Sequence, residues 1–340
     1  MVLVTLVLFF AGLAILLISA EKLVSSASRL AKTLGVSEFL IGITLLAFGT
    51  SLPEIATGVM AAIHNQPLIA WGTIIGSNIS NVGLIMGTAI LATGVFSVKQ
   101  DHFKEHLIPL LIFTLVFAVI SLTGFFSRDA GALLLLMFIA YLLVITRIVK
   151  RYESFWHFTF LLEVGKKIRF PTVIPKEWNK RHWFDVFTII IGIAGIWMGA
   201  EWAISNGIIL ATKLGFSETL LGLTILAIGT SLPELVVSLT TLRKKLTDAF
   251  LGNIIGSGIA NIGIVGGLVA LIRPYRVEPI IQFVPMTFFL LSALVLFFVV
   301  WKYQKISKRA GILFLALFLA FLFSLVVLAS SAQTARIFLS

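Results

Sequence analysis

EFLIGITLLAFGTSLPE at residues 38–54 returns as ETLLGLTILAIGTSLPE at residues 218–234, an offset of 180. The offset persists without insertion or deletion into GTIIGSNISNVG at 72–83 against GNIIGSGIANIG at 252–263, and backwards to Glu21 against Glu201. The chain is therefore an internal duplication, and a reading of either copy has to hold for its partner.

The duplicated stretches sit in a chain of membrane composition. Of 340 residues only 12% are charged, 26 basic and 15 acidic, while 59% are apolar and the mean hydropathy is +1.08. A soluble domain carries about 25% charged residues, so no water-facing surface could enclose this much apolar mass, and a soluble enzyme is excluded. The absence of cysteine excludes disulfide scaffolds, thiolate metal sites and cysteine nucleophiles. A net charge of +11 without a polar basic domain argues against nucleic acid and leaves the lipid bilayer as the partner. The sequence implies no protein partner and no cofactor.

A hydrocarbon core about 30 Å thick needs roughly 20 apolar residues per helix. Ten runs qualify, near 2–24, 38–63, 69–94, 106–125, 130–148, 184–206, 218–242, 249–272, 279–301 and 310–332. MVLVTLVLFF lacks a basic leader and reads as a retained first helix. Five spans separate equivalent positions, and an odd number sends the two copies into the membrane from opposite sides. The expected fold is an all-α integral membrane protein of ten transmembrane helices arranged as two inverted five-helix repeats. Residues 1–148 form the first, residues 184–340 the second, and a basic loop at 149–183 joins them. Inverted repeats of this kind characterise secondary transporters, with the substrate site at their interface near the bilayer midplane.

Lys and Arg set the orientation, since cytoplasmic loops hold an excess of them. With both termini outside the cell membrane, 21 basic residues fall inside and five outside: Arg128, Lys213, Arg273, Arg276 and Arg336. The 149–183 loop, with Trp156, Trp178 and Trp183, is then cytoplasmic. It serves either as a topology determinant or as a segment resting on anionic headgroups.

Glu54 and Glu234 lie deep in the second and seventh runs. An acid at the bilayer centre costs about 2.5–3.5 kcal/mol on insertion scales, so it normally faces a protein interior or an aqueous cavity. Thr50 and Ser51 precede Glu54 by four and three positions and share its helix face, as Thr230 and Ser231 do for Glu234. Pro53 and Pro233 deprive the Gly49 and Gly229 carbonyls of their helical donors, and a kink there exposes backbone oxygens to cations. A competing explanation is a capping box, with Ser51 as N-cap and Glu54 reaching back to the Ser51 N–H. In the following spans Ser77 and Asn81 share a face, as do Ser257 and Asn261. Interhelical packing around Gly76, Gly83, Gly256 and Gly263 is the plain explanation of those polar groups. Together, the residues form an all-oxygen set suited to hard cations such as calcium and sodium.

With GTSLPE paired to GSNISN and again to GSGIAN, the chain closely resembles the sodium/calcium exchanger family of the calcium:cation antiporters, in its prokaryotic type. The resemblance implies that Glu54 and Glu234 bridge calcium, with the Thr50 and Thr230 carbonyls completing its shell. It further implies sodium sites built from the Ala47 and Ala227 carbonyls beside Ser51, Ser77, Ser231 and Ser257, with Asn81 and Asn261 at the same centre. Some microbial exchangers and the potassium-dependent relatives carry Asp where this chain has Asn261, so two formal negative charges remain, enough for one calcium or two sodium ions. Proton-coupled relatives typically show GN before the acid, where this chain has GT, which favours sodium coupling.

The function expected from the sequence is secondary antiport of Ca2+ against Na+ by alternating access. The alternatives are an antiporter that exchanges protons for Ca2+ or another divalent cation, and a cation channel using the same oxygens as a filter. All five histidines, His64, His102, His106, His157 and His182, fall in predicted connections, which leaves no intramembrane histidine relay. The chain has no Walker lysine motif for ATP. Glu21 and Glu201 read as solvated helix ends on opposite faces, with a role at a gate as the other possibility.

Overall fold

The computed structural model describes residues 2–34, 37–94, 96–97, 106–145, 180–213 and 231–339. Its helices are α1 (Val2–Leu34), α2 (Phe39–Thr50), α3 (Leu52–Ile63), α4 (Pro67–Thr93), α5 (Ile108–Leu122) and α6 (Arg128–Ile145). They continue with α7 (Lys180–Lys213), α8 (Leu232–Arg243), α9 (Thr247–Ile272), α10 (Pro279–Tyr303) and α11 (Lys308–Leu339). Among the described residues seven helices are long and apolar enough to cross a membrane, eight if α2 and α3 count as one bent span. Helices are the form open to such a sequence, because lipid offers no partner to a free N–H or C=O.

Several expected spans differ in detail. The second is not continuous: it breaks at Ser51, and its halves meet at 45°. The fourth, α5, has 15 residues, short for a full span. The first and sixth run well past their expected ends, to 33 and 34 residues. Residues 218–230 of the seventh span, and 149–179 of the connecting loop, lie outside the described residues. The all-α expectation also omitted four two-residue strands: β1 (Phe96–Ser97), β2 (Phe125–Phe126), β3 (Tyr275–Arg276) and β4 (Lys305–Ile306). His106 is a further correction. It is buried in the π-helical lead into α5, stacked on Phe39 with ring centres 4.1 Å apart, and its Nδ1 lies 3.3 Å from the Tyr141 hydroxyl.

The centre of the molecule is α4 and α9, whose apolar windows are 83% buried against 17–33% for the other candidate spans that stand as single helices. Both carry the same irregularity, a π-helical stretch at Asn81–Met86 and at Asn261–Gly266, 180 residues apart. Helix α6 packs on α9, where Gly131 meets Gly267 and Phe138 meets Gly263. The last helix repeats this on α4, with Gly311 against Gly87 and Phe318 against Gly83. A Cβ on Gly131 would stand 2.7 Å from the Gly267 carbonyl oxygen, so the backbones touch only because both residues lack one. Each copy thus covers the central helix of the other.

The connections follow the same rule. β1 pairs antiparallel with β4, Phe96 opposite Ile306, and β2 pairs antiparallel with β3, Phe126 opposite Tyr275. Both ribbons join a loop of one copy to a loop of the other.

Outside this core, α1 and α7 pack against each other along their length and run antiparallel. Phe9 lies by Gly207, Gly12 by Gly199, Ser19 by Gly195, Leu23 by Gly192, and Arg29 by Asp185. The buried stripe of α1, Leu16, Ala20, Leu23 and Ala27, has helical spacing, while Leu3, Val7, Phe10 and Ile18 are exposed, as lipid-facing side chains are.

Candidate functional site

Ser51 occupies the break between α2 and α3 with φ −86° and ψ 3°, and Ser231 precedes α8 with φ −89° and ψ 5°. Proline two residues later prevents the helix from running on undisturbed, and in both copies the glutamate falls in the first turn of the restarted helix. Neither serine caps its helix with its side chain. The Ser51 N–H donates instead to the Ala47 carbonyl at 3.0 Å, which removes the capping box as an explanation of SLPE.

The Ser51 hydroxyl donates to Glu234 Oε1 at 3.1 Å, joining the break of the first copy to the acid of the second. The Ser77 hydroxyl stands 3.5 Å from Glu54 Oε1. The Thr50 hydroxyl lies 3.3 Å from the Ala47 carbonyl oxygen, 3.4 Å from Asn253 Oδ1 and 3.5 Å from the Ser257 hydroxyl. Ser257 also approaches the Ala47 carbonyl, at 3.5 Å. Ala47, Thr50, Ser51, Glu54, Ser77, Asn81, Ser231, Glu234, Ser257 and Asn261 are all buried. Ala227 and Thr230 lie outside the described residues.

Nine buried side-chain nitrogen or oxygen atoms among the described residues lack a hydrogen-bond partner, and seven belong to this set. They are Glu54 Oε2, Glu234 Oε2, Ser231 Oγ and both amide atoms of Asn81 and of Asn261. Orphaned polar atoms inside a protein each cost about 1–3 kcal/mol, so each of these seven atoms is a position where a bound cation or water would offset that cost. The two acids reach hydroxyls of the first copy, Glu234 that of Ser51 and Glu54 that of Ser77. No lysine or arginine is buried among the described residues to balance them, and the one buried histidine, His106, is held by Phe39 and Tyr141. Two carboxylates, hydroxyls, amide oxygens and backbone carbonyls fit a hard cation.

Asn253 is a site residue that sequence reasoning missed. Fully buried, it receives Thr50 at Oδ1 and donates from Nδ2 to the Ser238 hydroxyl at 3.2 Å. Thr73 holds its place in the first copy and Gly58 that of Ser238, so the second copy alone carries this polar strut. An amide in the middle of an apolar run was the available signal. The π-helical stretches were not visible in the sequence either; each opens at the asparagine whose amide is left unpartnered.

Beside the site, a cavity of about 600 Å³ opens to the surface between α3 and α7. It runs from Pro53 and Pro233, next to the two acids, to His64 and Gln66 at the far end of α3, with Glu201 on the α7 wall.

Comparison with known proteins agrees with the geometry. The model of the family described as sodium/calcium exchanger protein matches residues 4–147 and 184–327. The chain is 34% identical to the inner membrane protein YrbG of Escherichia coli (strain K12) over 87% of this chain and 88% of that protein. It is 31% identical to the sodium/calcium exchanger MaX1 of Methanosarcina acetivorans, over 95% and 98% of the two chains. Among solved structures, the sodium-calcium exchanger NCX_Mj soaked with zero Na+ and Ca2+ matches with a TM-score of 0.78 and 34% identity, covering 96% of this chain and 100% of that one. The chain belongs to the sodium/calcium exchanger protein family, and is a multi-pass membrane transporter of cations rather than an enzyme.

Proposed function

We propose that this protein exchanges Ca2+ for Na+ across the cell membrane by alternating access, using Glu54 and Glu234 as the shared anionic centre. The observation that supports this reading is that one oxygen of each of two buried carboxylates, supplied by the two copies, and five further buried polar atoms of Ser231, Asn81 and Asn261 lack a hydrogen-bond partner. Calcium is held between Glu54 and Glu234, with the Thr50 and Thr230 carbonyls in its shell. Sodium uses Ser51, Ser77, Ser231 and Ser257 with the Ala47 and Ala227 carbonyls, while Asn81 and Asn261 present their amides at the same centre. Two formal charges balance one Ca2+ or two Na+, so either load neutralises the site. An empty, doubly charged site resists closure, because desolvating two unpaired carboxylates is costly. That resistance makes the transition conditional on cargo and turns a cavity into an exchanger.

Ten transmembrane spans in two inverted five-helix repeats, residues 1–148 and 184–340 with the 149–183 loop in the cytoplasm, make up the architecture behind this mechanism. The antiparallel course of α1 and α7, which hold equivalent places in the two copies, supports inversion, as do the reciprocal Gly131–Gly267 and Gly311–Gly87 contacts. Both termini are then outside, and the cavity ending at His64 faces outward.

Purified protein in liposomes loaded with sodium should take up 45Ca2+ when the external sodium is diluted. Uptake that follows a pH gradient in sodium-free buffer would make the proton the coupling ion. Calcium flux without any counter-ion would assign a channel.

A further inference from the structure

The two turns that follow α3 and α8 are conformational copies. His64 and Lys244 close the two helices with φ −83° and −84°, and Asn65 and Lys245 follow with φ 62° and 59°. The hydrogen bonds repeat as well, His64 N–H to Met60 O at 2.9 Å and Lys244 N–H to Thr240 O at 3.1 Å. His64 and Lys244 are 180 residues apart, as are Glu21 and Glu201. A contact made by Glu21 with Lys244 therefore has one counterpart, Glu201 with His64.

The structure makes only one of the two. Lys244 Nζ stands 3.6 Å from Glu21 Oε1, bridging α1 to the end of α8. On that side the wall is shut: Ala20, Val24, Val237, Thr241 and Ala249 are buried, and the void lined by Val24, Leu246 and Ala249 is about 10 Å³. At the counterpart, His64 and Glu201 are exposed on the walls of the 600 Å³ cavity, and among the described residues no ion pair joins them. Closure goes with the formed pair, opening with the separated one.

We propose that Glu21–Lys244 and Glu201–His64 are alternative latches of the exchange cycle, each holding one face shut. Because one latch uses lysine and the other histidine, only the second depends on a proton. The inference rests on the antiport reading above. An ammonium is charged throughout the physiological range, whereas an imidazole changes charge between about pH 5 and 8. Among the described residues lining the cavity, Glu201 on α7 is the only ionisable group facing His64; α4 contributes Ile69, and α8 contributes Pro233. With the lysine latch formed, the His64 face stands open. Acidification on that face lets the second latch compete. An exposed pair is weak, so protonation shifts the ratio of the two states by no more than about fivefold, enough to matter between states of similar energy.

The absence of native cysteine makes the test direct. Ser205, on the α7 wall of the cavity, is replaced by Cys in the full chain, and its labelling rate with a charged thiol reagent is measured in detergent at pH 8 and pH 5.5. Dividing by the rate of the same variant carrying His64→Ala cancels the ionisation of the thiol. The expected ratio falls up to about fivefold on acidification, is low at both pH values with His64→Lys, and does not change with pH with Glu201→Gln. Lys244→Gln, which removes the opposite latch, should lower labelling at pH 8. A ratio unchanged by pH in the parent, or unchanged by Lys244→Gln, overturns the proposal. Sodium-driven calcium uptake measured on the same preparations separates the two ideas: intact exchange with flat labelling strikes the latches alone, and the full labelling pattern without exchange strikes the antiport reading alone.

Discussion

Ser51, at the break in the second span, donates its hydroxyl to Glu234, 183 residues further along the chain and in the other copy. The bond fixes one oxygen of a buried carboxylate and leaves the other free, and it couples the geometry of one copy's helix break to the charge of the other. A hydrogen bond to a charged group contributes about 1.5–3 kcal/mol. Ser51→Ala should weaken apparent calcium affinity by roughly 10- to 100-fold while leaving the protein folded. A calcium titration of exchange rate in liposomes reads this directly, and an unchanged midpoint would remove Ser51 from the site.

Glu54→Gln and Glu234→Gln keep the volume and lose the charge. Removing one partner of a buried charged contact costs about 2–5 kcal/mol, so exchange should fall roughly 100-fold or more in either variant. Stability without cargo should move the other way. Each substitution removes an uncompensated buried carboxylate, and the melting temperature in chelator without sodium should rise. Loss of exchange together with a lower melting temperature would point to a structural role instead.

Asp185 is almost fully buried and is gripped by the half-exposed Arg29, with Nε to Oδ1 at 3.0 Å. Arg29→Ala strands the carboxylate and should destabilise the α1–α7 pair by about 1–3 kcal/mol. The double variant Arg29→Ala with Asp185→Asn should recover part of that loss. A double-mutant cycle on thermal melts in detergent measures the coupling, and additive losses would contradict it.

Gly131→Ala should be far more damaging than Gly207→Ala. At Gly131 the added methyl would meet the Gly267 carbonyl oxygen at 2.7 Å and the Leu271 nitrogen at 2.9 Å, both backbone, so a helix has to shift. At Gly207 it meets the Phe9 ring at 3.3 Å, a side chain able to turn. The cost at Gly131 should be about 1–3 kcal/mol, visible as a lower melting temperature and reduced yield of monodisperse protein.

Much of this architecture was legible in the chain because the duplication supplied an internal control. GTSLPE at a fixed offset drew attention to both acids, and the structure places Ser51 beside Glu234 and Ser77 beside Glu54. Tertiary contact decided what remained hidden. Glu201 lines a cavity and Glu21 pairs with Lys244, although each looks like a solvated helix end in one dimension. The π-helical stretches at Asn81 and Asn261 leave no propensity signature; each contains a glycine, Gly83 or Gly263, packed closely against a phenylalanine of another helix, Phe318 or Phe138. His106 looked like a loop residue because nothing local announces a Phe39 ring arriving from a distant helix. Asn253 was passed over because Thr73, its counterpart, lacks the amide, and a search guided by symmetry is blind to what only one half possesses.

The exchange of cover between halves, α6 over α9 and α11 over α4, leaves neither half with a closed interior of its own. A ribosome that has finished residue 148 has made a segment whose most buried helix still lacks its lid, and the missing part, α11, begins only at Lys308. The interior of the first half is complete only once α11 is in place, so a truncation that removes α11 would unroof the first half rather than trim the second.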